Sequence, residues 1–69
     1  MNETQAKIIV AYARNGMRVT KTAAALYYDR RVIYLNFKKI RENTGLNPRN
    51  FFDLVELYTI AVGILGDDY

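Results

Sequence analysis

Arg30, Arg31, Tyr34, Leu35, Lys38, Lys39 and Arg41 follow one another closely in the middle of this chain, with Arg18 and Lys21 just before them. Guanidinium and ammonium groups at this density bind polyanions. They donate to phosphate oxygens, and the planar fork of an arginine also matches paired acceptors on the edge of a base. The run from Arg14 to Arg41 holds eight bases and one acid, Asp29. Residues 1–50 carry ten bases against Glu3, Asp29 and Glu42, a formal +7, whereas residues 51–69 carry Asp53, Glu56, Asp67 and Asp68 and no base, a formal −4. A basic body with an acidic end suits a polyanion on one face only. An ordinary solvated surface can show the same count, so charge by itself does not decide between them.

Other chemistries lack their residues. The chain has no cysteine and no histidine. Disulfides and thiolate metal sites are excluded, and so are the commonest general base and the Ser/His/Asp type of triad. The acids Asp29, Glu42, Asp53 and Glu56 have no evident partner base, and helix capping or solvation accounts for them better than catalysis. Asp67-Asp68 reads as an acidic tail rather than a metal site. No enzyme activity, metal or cofactor is expected. No apolar run is long enough to span a bilayer, and Met1-Asn2-Glu3-Thr4-Gln5 lacks the basic-then-apolar start of a signal peptide. The expected place is the cytoplasm, in association with the nucleoid of a bacterium or mobile element.

At 69 residues the chain has room for one domain, expected to span 1–69. There is no repeat, low-complexity stretch or linker. Breaks at Asn15-Gly16, Tyr27-Tyr28-Asp29 and Gly45-Leu46-Asn47-Pro48 divide it into helices. Ile8, Ile9, Tyr12 and Ala13 recur at helical spacing in Thr4 to Arg14. Asn15-Gly16 is a natural stop, because both residues tolerate left-handed backbone angles. Thr20 is placed to cap a short second helix, in which small residues let two axes approach closely. Asp29 caps a third, Arg30 to about Asn43, whose Ile33, Phe37 and Ile40 form one apolar stripe. Gly45 ends it, and Pro48 blocks continuation. Asn50 caps the last, Phe51 to about Leu65, which is apolar nearly all round. No segment alternates with period two. The fold class is therefore all-α: a small bundle of four to five helices.

The central arrangement, residues 20–43, is a short helix, a three-residue turn and a longer basic helix. This is the layout of a helix-turn-helix, whose first helix crosses the DNA backbone while the second lies in the major groove. Ala23 sits where the two helices touch, and Leu26, Tyr28 and Ile33 are placed to fill the space between them. On the outer face Arg31 and Lys38 are set to reach bases or phosphates. Arg30 is set to hold a phosphate, and Tyr34 to donate to one or pack on sugars.

The stretch from Asn15 to Leu57 resembles the C-terminal DNA-binding domain of PucR-type and sugar-diacid (CdaR-type) bacterial regulators, itself similar to the Fis-like helix-turn-helix. The matching residues are Asn15, Thr22-Ala23, Leu26, Tyr27, Arg30, Phe37, Lys39-Ile40 and Thr44-Gly45-Leu46, with Asn50-Phe51-Phe52-Asp53 also similar. The pattern departs at Asp29 for a His, at Arg31-Val32 for Asn-Thr and at Leu35-Asn36 for Tyr-Arg. These positions lie on or near the recognition helix, so the resemblance implies the fold and double-stranded DNA as partner but not the sequence read. Only a short stretch precedes the motif, which gives the expectation of a stand-alone regulator or an excised fragment, without a ligand-sensing domain.

A rival reading is a protein-binding module that keeps the helix-turn-helix shape without binding DNA. The last helix bears on this. Packed on Ile9, Tyr12, Ile40 and Leu46, it would still leave Phe51, Val55, Tyr58 and Val62 exposed, and such patches mark interfaces. A homodimer joined through these four residues is the expectation.

Overall fold

A computed structural model describes residues 1–66; Asp67 and Asp68, read above as a tail, lie outside the described residues. The described chain is four helices: α1 (Glu3–Arg14), α2 (Val19–Leu26), α3 (Arg30–Thr44) and α4 (Phe51–Leu65). α1 is the centre. It packs against each of the other three, and α2 also packs against α3.

The sequence of α1 explains its place. Ala6, Ile8, Ile9, Val10 and Tyr12 are all buried, which is more than one stripe of a helix and requires neighbours on several sides. Its start is fixed by a capping box. Asn2 Oδ1 accepts from the Gln5 N–H at 2.8 Å, and Gln5 Oε1 accepts from the Asn2 N–H at 3.1 Å. It ends after Arg14, as expected, but by a different route. Asn15 is not left-handed; its side-chain amide donates to the Ala11 carbonyl at 2.7 Å. The left-handed residues are Gly16 and Met17.

α2 also begins differently. Thr20 is not its cap but an exposed residue inside the helix, and Arg18 stands at the cap with no side-chain hydrogen bond. Burial decides the start. Val19, Thr22 and Ala23 form the one buried stripe of α2, and the Thr22 hydroxyl donates to the Arg18 carbonyl at 2.7 Å. The helix must therefore begin early enough to include Val19.

α2 closes on Tyr27, which is left-handed at φ 57°. The Tyr27 N–H donates to the Ala24 carbonyl at 3.3 Å and the Tyr28 N–H to the Ala23 carbonyl at 2.9 Å, a Schellman closure. Ala23 and Ile33 are buried and Leu26 half-buried, as the motif requires. Tyr28 does not fill the space between the helices but stays on the surface. Its backbone completes the turn instead.

α3 follows expectation at both ends. Asp29 Oδ1 accepts from the Arg31 N–H at 2.9 Å, and Gly45 ends the helix in the left-handed region, donating to the Arg41 carbonyl. Ile33, Phe37 and Ile40 are buried, and the Phe37 ring meets Tyr12 edge-to-face with centroids 4.8 Å apart. α4 is capped by Asn50, whose Oδ1 accepts from the Asp53 N–H at 3.1 Å. Leu54, Leu57 and Ala61 are its buried residues. It lies along α1, the helix of the expected partners Ile9 and Tyr12, while its backbone does not approach α3, the helix of the expected partner Ile40.

Candidate nucleic-acid interface

The frame α2–turn–α3 presents one long exposed surface. At about 100° per residue, the stripe Ile33/Phe37/Ile40 puts Arg31, Leu35, Lys38 and Glu42 at the centre of the opposite face. Arg30, Tyr34 and Arg41 lie on one flank. Lys39 lies on the other, beside the half-buried Val32 and Asn36. Every expected contact residue on α3 is exposed: Arg30, Arg31, Tyr34, Leu35, Lys38, Lys39 and Arg41. Leu35 is 53% exposed although it is apolar. Glu42 is the one acid among these outward positions of α3, near the helix C-terminus.

Arg18 and Lys21 come from a second element. Both are exposed at the start of α2. The first turn of α2 holds no acid, and no side chain caps it, so two exposed cations stand beside an uncapped helix start. That combination attracts anions rather than repelling them.

The electrostatics are uneven along α3. Asp29 does more than cap the helix. Its carboxylate also accepts from Nε and Nη2 of Arg31, both at 3.3 Å. The backbone N–H of Arg31, followed by its guanidinium, holds the Asp29 carboxyl below its ordinary pKa, and the carboxylate in turn raises that of Arg31. Both groups are open to water, so the pair orients more than it stabilises. Arg31 is thus held at the tip of the helix by two of its donors, while the remaining edge of the fork faces outward.

Sequence reasoning missed one cation of this surface. Arg49, in the loop between α3 and α4, places its guanidinium carbon 5.7 Å from the centre of the Tyr34 ring. Nothing in the local pattern signals this approach, because it depends on how the loop returns past α3.

A second surface is formed by α4. Phe51 and Val55 of the expected interface are exposed, whereas Tyr58 and Val62 are half-buried against the core. Phe51, Val55 and Tyr58 line an open groove of about 540 Å³ with Ala13 and Arg14 of α1 and Met17 of the loop that follows it. Phe52, Ile60 and Ile64 are also exposed and were not anticipated.

The model of the PucR C-terminal helix-turn-helix domain matches residues 6–61. The chain belongs to that family. The match reaches beyond the helix-turn-helix into both α1 and α4, so the helix that centres the core and the one beside it are part of the PucR-type domain. No curated relative and no solved structure matches the chain. Within this PucR-type domain, Asp29 stands where the pattern above has a His. It caps the helix and grips Arg31, so the change alters what the tip of α3 presents without disturbing its start. Among the described residues no group of three acids could hold a metal, and no helix is long and apolar enough to cross a membrane.

Proposed function

We propose that this chain is a sequence-specific DNA-binding transcription regulator that lays α3 in the major groove. The observation that carries the reading is the two-sided character of α3. Ile33, Phe37 and Ile40 are sealed into the core, while the other side shows Arg31, Tyr34, Leu35 and Lys38 to solvent within a helix-turn-helix frame. A helix of this kind fits a groove of about 12 Å with cations on both flanks. In this reading Arg31 and Lys38 reach base edges, and Leu35 offers an apolar contact to a thymine methyl. Arg18, Lys21, Arg30, Lys39 and Arg41 hold phosphates.

The protein works as a homodimer joined through Phe51, Val55, Tyr58 and Val62. α4 itself carries no Lys or Arg, so pairing through it leaves both α3 faces free to address two half-sites about 34 Å apart or a multiple of that. This role places the protein in the cytoplasm, on the chromosome of a bacterium or on a mobile element.

Selection of bound duplexes from a random pool tests the reading. A consensus should emerge, and Arg31→Ala should relax it at a cost of about 1–3 kcal/mol at one base pair. Lys21→Ala should weaken all sequences alike. Recovery of unenriched sequences would count against specific recognition.

A further inference from the structure

Arg49 is the cation that the loop after α3, rather than α2 or α3, brings to this surface. The loop carrying it is firmly built. Pro48 is fully buried, and the Asn47 N–H donates to the Asp53 carboxylate at 3.0 Å. The Arg49 N–H donates to Asn47 Oδ1, also at 3.0 Å. Asn50 then caps α4. The backbone at Arg49 is therefore held on both sides, and its exposed side chain reaches the ring of Tyr34, which is 46% exposed. Among the described residues no carboxylate pairs with Arg49.

We propose that Arg49 and Tyr34 together form a phosphodiester-binding site, which grips the DNA backbone along the flank of α3 that carries Arg30 and Arg41. This rests on the DNA-binding reading above and adds a contact from outside the helix-turn-helix. The chemistry follows from the geometry. A helix in the major groove has bases before its centre and a phosphate wall on either flank. A cation–π approach at this distance takes up none of the guanidinium N–H groups, which stay free to donate to phosphate oxygens. The Tyr34 hydroxyl adds a further donor on the same flank. The ring and the pinned loop hold Arg49 near its working position before DNA arrives, so less side-chain freedom is lost on binding. Lys21 and the open start of α2 belong to another element, which leaves Arg49 as the anchor contributed by the loop.

The test uses the full chain and the duplex selected from the random pool, titrated at about 50 mM and about 200 mM salt. Removing one phosphate contact lowers the log–log salt slope by about 0.9, so the advantage of the wild type over Arg49→Ala should be about 3.5-fold larger at the lower salt. Base preference and melting temperature should not change, because Arg49 is exposed. Tyr34→Leu should weaken binding, and adding Arg49→Ala to it should cost less than Arg49→Ala alone. Arg49→Lys should keep the slope but lose the coupling to Tyr34. A wild type that binds the duplex while Arg49→Ala binds with equal affinity and slope would overturn the site and leave the DNA reading standing. A wild type that binds no duplex would overturn both.

Discussion

α3 and α4 are both fifteen residues long, and each seals three side chains into the core, yet they have opposite surfaces. Outside Ile33, Phe37 and Ile40, α3 is mostly charged or polar. Outside Leu54, Leu57 and Ala61, α4 remains apolar, with Phe51, Phe52, Val55, Ile60 and Ile64 exposed. Apolar content therefore does not measure burial within this chain. The limit is the supply of partners. α1 already meets α2, α3 and α4, and among the described residues no further helix packs on the outer side of α4. α3 has a surface suited to a polyanion, while that of α4 is suited to another apolar surface. Each helix divides its residues between fold and function, and the division can be tested helix by helix.

The largest effect should come from the buried side of α3. Phe37→Ala removes a fully buried ring that meets Tyr12 edge-to-face, and should cost about 3–5 kcal/mol, close to the whole stability of a small domain. Thermal or denaturant unfolding reads this directly. Phe51→Ala, with the same chemistry on the exposed side of α4, should change the stability of a monomer by only about 0.5 kcal/mol. Equal losses from the two would erase the contrast.

Val55→Glu should act on assembly. Sedimentation at micromolar concentration should show the wild type at twice the chain mass of 8.0 kDa and the variant as a folded monomer. A wild type sedimenting as a clean monomer would remove the proposed interface and leave the exposed face of α4 without its partner.

A smaller effect, opposite in sign, belongs to the turn that delivers α3. Tyr27 is 96% exposed and holds a left-handed backbone that glycine adopts at less cost. Tyr27→Gly should raise stability by about 1 kcal/mol, read as a higher melting temperature. A lower one would mean that the ring contributes more than its strain removes.

The smallest effect is a titration. The carboxyl of Asp29 is held below its ordinary pKa by the N–H and guanidinium of Arg31. A group with a depressed folded pKa adds stability above its unfolded value, and loses it as pH falls through the folded one. An NMR titration should therefore find the Asp29 midpoint below about 3.9, with Arg31 released only in stronger acid. A midpoint at or above that value would show that the pair does not form.

The parts of the fold legible in the sequence are those fixed by local chemistry. The Ile33/Phe37/Ile40 stripe, the Asp29 and Asn50 caps and the Gly45 stop need only neighbours a few residues away. The Asn2/Gln5 capping box was equally local, and its spacing could have been recognised. The start of α2 was not legible, because the burial of Val19 is a tertiary requirement that overrides the better capping residue, Thr20. The seat of α4 on α1 is legible through Ile9 and Tyr12, whereas its distance from α3 is not, because an apolar surface fits many partners and only the three-dimensional arrangement selects among them. In the candidate site the exposed cations of α3 could be read from helical phase. Arg49 could not, since its approach to Tyr34 depends on a loop held by Pro48, Asn47 and Asp53.

The central claim is that the exposed face of α3 binds duplex DNA through its cations, and the salt dependence of binding to the selected duplex tests it most directly. Five phosphate contacts from the two helices would give a log–log slope near −4.5 and a loss of roughly five-hundredfold in affinity between about 50 and about 200 mM salt. Binding that stays flat across that range, or no binding at the lower salt, would contradict the account.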